Sequence, residues 1–377
     1  MNALTLAVFV LVAQDQAKVD LAIKKGGEYL RKGISPESHQ SCEHPFADSD
    51  ELILWTYVHA GVPEEGPEIQ ALLQKMLGAE LQKTYKVALQ AMILEELDRV
   101  KHQHRIAECA QFLVDNQLKN GQWSYGDPTP FLKDVPTTGT PRKDVATSGK
   151  KAAKPVPGVR TKPVVKTRIV VTKRRDGWGE NGAAEGDNSN SQYAALGLRA
   201  CHDAGIVIPP EVAQMGLKAW EKTQRDGGWS YQLSKKQGYG SMTAGALGSM
   251  VIFHYILNEP WMKDTAIQNG LKWMADHFTV QENPDHANGP KHAASTHYFL
   301  YAMERAGILY GTETFGPHAW YSEGARWLLE TQKGDGSWAT SGAKGSTAVW
   351  DTCFAILFLR RATRPLTDVA SEVRVRR

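Results

Sequence analysis

Apolar positions along this chain fall into two interleaved helical patterns. Six segments are apolar around most of a helical circumference: "SDELILWTYVHAGV", "KTYKVALQAMILEEL", "NSQYAALGLRACHDAG", "SMTAGALGSMVIFHYIL", "STHYFLYAMERAGIL" and "STAVWDTCFAILFLRR". Such segments predict deeply buried helices. Each follows a more amphipathic stretch with a single apolar stripe, as at Pro67–Leu81 and Tyr321–Gln332. The pattern therefore predicts six helix pairs, an inner and an outer helix in each.

A punctuation motif repeats between the pairs. "QFLVDNQLKNGQWSYG", "LKAWEKTQRDGGWSYQ" and "GARWLLETQKGDGSWATS" each run from an amphipathic helix to Gln, a polar turn carrying Gly, and then Trp; "RRDGWGE" at 174–180 is a degenerate copy. Glycine supplies the left-handed conformation that ends a helix, and Asp or Asn before it favours a tight turn. Gln can satisfy free backbone groups there, while Trp covers the turn. The Ala-Gly pairs ending at Gly205 and Gly307 lie 102 residues apart, two units of 51. From Gly61 to Gly205 the separation is 144, which leaves 42 residues in excess.

That excess sits in residues 124–175, rich in Pro, Thr, Lys and Val and without helical periodicity. From 130 to 175 there are thirteen Lys or Arg against two Asp, in a chain whose total charge is only +3. The mildly basic total thus describes one insertion rather than the fold. A solvated loop is the plain reading; an arm for an anionic membrane surface is the sharper one, and "VVKTRIVV" within it fits a short strand pair. No nucleic-acid partner is expected. A basic tail follows at 366–377.

Inner helices this apolar must be covered on every side. A closed ring does this without polar end caps, so the expected fold is all-α, an (α/α)6 toroid spanning 18–365. The apolar run Leu4–Ala13 is too short to span a bilayer, which takes about 20 residues. It fits a secretory signal over residues 1–17, cut after Ala13 or Ala17, and so export to the periplasm or outside. The alternative is an apolar N-terminal end on a cytoplasmic protein.

The Gln…Gly-x-Trp units resemble the QW repeats of squalene–hopene cyclases and their relatives, a superfamily that includes protein prenyltransferase β subunits and shares an α/α toroid. The resemblance implies an apolar isoprenoid-like ligand in a central cavity. It also offers two catalytic signatures. Cyclases of this kind protonate an alkene with the middle Asp of Asp-x-Asp-Asp-Thr-Ala; aligned on "DNSNSQYAAL", Asp187 matches the first Asp, Ser189 the middle one and Asn190 the third. Prenyltransferases bind zinc through Asp-x-Cys at an inner-helix start plus a His. "WDTCFAIL" supplies Asp351 and Cys353, with His297, His292 or His44 as the third ligand, although the family's His follows the Asp-x-Cys and none does here. The candidate catalytic residues are thus Asp187, Asn190, Asp351 and His297, and the candidate zinc ligands Asp351, Cys353 and His297. The plainer alternatives are a core cysteine and helix-capping aspartates.

Parallel inner helices would bring their N-termini to one rim. Below it, Trp55, Tyr85, Tyr193, Tyr298, Trp350 and Phe354 are the expected substrate wall, together with Tyr57, Phe253, Phe299 and Phe358, since aromatic faces both pack and stabilise cations. Two other functions stay open. A carbohydrate-active toroid would use paired carboxylates, for which Asp48, Asp50 and Glu51 are the only dense acidic set. A non-catalytic ring would keep the scaffold and lack the acid.

Overall fold

A computed structural model describes residues 3–33, 50–127, 140–141, 165–169, 186–232, 237–285, 295–340 and 348–366, with side chains from Gln16 onward except at 33, 140–141 and 165–168. Twelve α-helices are described: α1 (Ala3–Gly33), α2 (Asp50–Ala60), α3 (Pro67–Gly78), α4 (Thr84–Asp98), α5 (Gln103–Asp115), α6 (Asn188–Asp203), α7 (Pro210–Thr223), α8 (Gly240–Leu257), α9 (Thr265–Asp276), α10 (Thr296–Tyr310), α11 (Trp320–Thr331) and α12 (Ala348–Arg360).

The even-numbered helices form the ring. Each packs on the next, from α2 through α4, α6, α8 and α10 to α12, and α12 packs back on α2. The odd-numbered helices lie outside: α1 on α12 and α2, α3 on α2, α5 on α4 and α6, α7 and α9 on α8, and α11 on α10 and α12. Burial follows the sequence pattern. In α7 only Val212, Ala213, Gly216, Leu217, Ala219, Trp220 and Thr223 are buried, whereas α8 is buried at every residue from Gly240 to His254. Helix α8 is long and apolar enough to cross a bilayer, but α6, α7, α9 and α10 encase it.

The three Gln–Gly–Trp turns have one design. The side-chain amides of Gln117, Gln224 and Gln332 donate to the carbonyls of Gly121, Gly227 and Gly336 within their own turns. Each also donates to the next outer helix, at Val212, Ala266 and Ala22. The last of these joins the end of the chain to its beginning and fastens the ring shut. The indoles of Trp123, Trp229 and Trp338 donate to Leu113, Trp220 and Leu328. Their backbone N–H groups donate to Ser191, Thr243 and Thr352 on α6, α8 and α12. Gly121 and Gly336 have φ of +90° and +92°, and a Cβ there would lie 2.2 Å from the Met215 carbonyl oxygen or 2.4 Å from that of Lys25. Only glycine suits both the backbone and the space.

The inner helices run parallel. Their C-terminal ends are crossed by the segment after α12. Thr363 donates its N–H and hydroxyl to Glu304 on α10 (3.0 and 2.7 Å), Arg364 pairs with Glu96 on α4, and Arg199 on α6 reaches the Pro365 carbonyl. These contacts tie the C-terminal side of α4, α6 and α10 to the segment after α12.

Two short segments of the basic insertion form strands. β1 (Thr140–Pro141) pairs antiparallel with β2 (Val165–Arg168), and β2 pairs parallel with β3 (Ile206–Val207), between α6 and α7. Ile169, next to β2, is buried. A strand indeed forms in "VVKTRIVV", but its partners are 140–141 and 206–207. The degenerate turn at 174–180 lies outside the described residues. Helix α1 runs unbroken past Ala13 and Ala17, and its first buried side chain among those described is Val19.

Candidate functional site: a polar chain across the axis of the ring

Side chains from α2, α4, α6, α10 and α12 meet inside the ring, some across it and some from neighbouring helices. Tyr85 on α4 shares a hydrogen bond with Ser189 on α6, whose hydroxyl also meets the Tyr298 hydroxyl on α10 at 2.9 Å. Gln192 donates to the same Tyr298 oxygen (2.8 Å) and accepts from Arg305 (2.9 Å). The Arg305 guanidinium lies 4.1 Å from the centre of the Tyr301 ring and 5.6 Å from that of Tyr193, and the Tyr193 hydroxyl hydrogen-bonds it. Trp55 on α2 donates to the Tyr301 hydroxyl at 3.0 Å. Phe354 on α12 packs against both Tyr298 and Tyr301.

Local sequence explains the convergence. On α10, Tyr298, Tyr301 and Arg305 recur at helical spacing along one stripe. On α6, Ser189, Gln192, Tyr193 and Leu196 do the same. Helix α8 makes room: a Cβ on Gly245 would sit 2.5 Å from the Gln192 side-chain oxygen. Residual exposure marks the axial stripe. Leu52, Met92, Tyr298 and Phe354 keep 8 or 9% of their surface, while Ile53, Ile93, Phe299 and Phe358 beside them keep none. Water therefore touches one face of α2, α4, α10 and α12.

Most of the expected wall is assembled there: Trp55, Tyr85, Tyr193, Tyr298 and Phe354. Trp350 is half-buried at the start of α12. The others face outward. Phe253 packs on Trp123, and Phe358 on Trp320 and Tyr321, in the layer between inner and outer helices. Phe299 packs near the start of α8, within 2.7 Å of where a Cβ on Gly240 would lie.

Asp187 is the N-cap of α6. Its carboxylate accepts from the Asn190 N–H (2.7 Å) and side-chain amide (2.8 Å). Burial pushes its pKa up to about 6, with the bonds from Asn190 and one from Tyr231 pulling the other way. Tyr125 and Tyr231 bond each other close by. At the position of the middle Asp, Ser189 is held between two phenols whose own acidity burial suppresses. Burial thus lets Asp187 hold its proton to a higher pH than an ordinary carboxyl, while leaving it mostly ionised at neutral pH.

Asp351 and His297 also meet, but away from the axis. Asp351 accepts from the Ser295 hydroxyl (2.5 Å) and the Thr340 N–H (2.6 Å), with His297 Nδ1 at 3.5 Å. His297 packs against Trp327 of the outer helix α11. Cys353 turns instead to Thr56 on α2, and burial pushes its thiol up to about 12. The expected trio is therefore not a ligand set, and no three His, Cys, Asp or Glu gather as one among the described residues. The Asp351–His297 cluster ties α10 to α12 and to the Thr340 loop. His292, His44 and Asp48 lie outside the described residues. Asp50 and Glu51 face Lys75 (2.5 Å) and Lys86 (3.6 Å), not each other's substrate.

Arg305, Tyr301 and Gln192 carry as much of the site as the aromatic wall, yet Arg305 and Tyr301 stand out in no motif. The signal for Arg305 was a charged pair, Glu304–Arg305, inside an otherwise apolar inner helix.

No protein-family profile matches this sequence, and no curated protein sequence matches it. Among solved structures the chain is similar to a variant of the type II terpene cyclase MstE from Scytonema in complex with its substrate, geranylgeranyl dihydroxybenzoate. The TM-score is 0.52 at 12% identity, over 93% of this chain and 98% of that one. A second variant of that cyclase, bound to the product merosterolic acid A, gives 0.49 at 11% identity over the same shares. The first likeness establishes an all-α fold shared with a terpene cyclase.

Proposed function

We propose that this protein binds an isoprenoid-like apolar molecule along the axis of its helix ring, entering by the N-terminal rim. The observation that carries the reading is the water-touched axial stripe, where aromatic and aliphatic side chains of α2, α4, α10 and α12 face one another around a few polar groups. Such a lining suits a long apolar ligand with a small polar part. The shared fold adds support, since the cyclase named above holds a geranylgeranyl compound.

Binding is favoured over alkene protonation by the acid at the middle-Asp position, because that position is Ser189. If a proton is delivered, Asp187 is its source, with Asn190 orienting the carboxyl. Paired rim carboxylates for sugar cleavage find no support, since Asp50 and Glu51 are each paired with lysine.

The test is organic extraction of the purified protein followed by mass spectrometry, with thermal melting in the presence of geranylgeraniol or of a saccharide. An extracted isoprenoid, or a melting point raised by geranylgeraniol alone, is expected. A rise with the saccharide and none with geranylgeraniol would replace this reading with a carbohydrate-active one.

A further inference from the structure

Arg305 is a buried cation with no ion pair among the described residues, although the Glu304 carboxylate acts on it electrostatically from nearby. It is 2% exposed, and no carboxylate bonds it among the described residues. Its neighbour Glu304 faces the opposite way, toward Thr363. One guanidinium nitrogen, Nη2, is used by Gln192; the other, Nη1, is buried with no hydrogen-bond partner. Removing a charge from water costs several kcal/mol, on the order of the whole stability margin of a domain, unless another group repays it. The Tyr301 face and two neutral acceptors repay only part.

The geometry also limits what could complete the site. Arg305 lies on the same stripe of α10 as Tyr298 and Tyr301, so its free nitrogen belongs to the axial wall. Lys86, Arg99 and Arg364 are already on Glu51, Glu95 and Glu96. A diphosphate would bring more negative charge than one guanidinium balances. A single carboxylate matches in charge and in its two acceptor oxygens.

We propose that Arg305 anchors the carboxylate of an apolar acid, its chain lying against Trp55, Tyr298 and Phe354. This rests on the axial-binding reading and names the class of its ligand. Gln192 holds the guanidinium in place from one side, and Tyr193 and Tyr301 shield it from water.

Calorimetric titration of the full chain at pH 7.5 tests this with four probes: geranylgeranoic acid, geranylgeraniol, oleate and oleyl alcohol. The acid is expected to bind at least about tenfold tighter than the alcohol of the same chain. Arg305→Met removes that preference and keeps alcohol binding. Gln192→Glu, nearly isosteric, supplies an internal counter-ion and lowers acid affinity by a similar factor; it decides the matter if melting by circular dichroism shows Arg305→Met to be unfolded. Equal binding of acid and alcohol to the native chain, a preference that survives in the folded variants, or no acid binding at all overturns the anchor. Oleate binding that depends on Arg305, without geranylgeranoic acid binding, keeps the anchor and discards the isoprenoid reading. Geranylgeraniol binding with no acid preference does the reverse.

Discussion

Ser191, Thr243 and Thr352 occupy one place in three repeats and do one thing: each accepts the backbone N–H of the Trp that ends the preceding turn. Two residues earlier stand Ser189, Ser241 and Trp350, and these share nothing. Ser189 joins two phenols, Ser241 bonds Asn283, and Trp350 is half-buried at the start of α12. The outer belt is thus a repeated joint, and the axial face is a set of single-copy positions on the same helices. Stability should reside mainly in the first and ligand choice in the second.

The sharpest way to break that division is at the belt glycines. Gly336→Ala and Gly121→Ala place a Cβ against a carbonyl and keep a positive φ that alanine resists. Each is expected to cost about 3 kcal/mol in urea unfolding, combining clash and strain. A cost below about 1 kcal/mol would show that the turns yield easily.

Next comes pH. Asp187 and Glu304 have folded-state values raised by burial, to about 6 and about 7. The folded chain therefore holds these protons more tightly than the unfolded chain. The stability they contribute is fully present below the unfolded values near 4 and is lost as pH rises through about 6 and then about 7. The urea midpoint should fall across that window by an amount on the order of 2 kcal/mol, and Glu304→Gln should flatten its upper part. A midpoint that rises with pH between 5 and 7 would contradict the assignment.

Gln332→Ala removes the bonds to Gly336 and to Ala22, where the ring closes. About 1–2 kcal/mol of stability should go, without change in ligand affinity. The smallest stability effect belongs to the axial face. Ser189→Ala should cost about 1 kcal/mol or less, yet alter geranylgeraniol binding more than Gln332→Ala does. Reversal of that order would dissolve the distinction between belt and axis.

Much of this was legible in the sequence. The periodicities gave twelve helices in two layers, and the Gln–Gly–Trp spacing located the joints, because both are local consequences of helix geometry and glycine conformation. Which way a residue faces was harder. Tyr298 and Phe299 are adjacent and equally aromatic, but one lines the axis and the other packs against the start of α8. Helices apolar all round carry no internal marker of direction. Asp351 and Cys353 had the spacing of a ligand pair, yet Asp351 is taken by Ser295 and Thr340 while Cys353 turns to Thr56. Arg305 follows Glu304 and reads in sequence as half of a neutral pair; only the structure shows Glu304 bonded to Thr363 instead.

Axial occupancy can be tested most directly with a benzophenone-bearing geranylgeranyl probe, crosslinked to the full chain and mapped by peptide mass spectrometry. The account predicts labelled peptides from α2, α10 and α12, around Trp55, Tyr298 and Phe354, with competition by unlabelled geranylgeraniol. Labels confined to outer helices such as α3, α7 or α9, or labelling that geranylgeraniol does not displace, would contradict it.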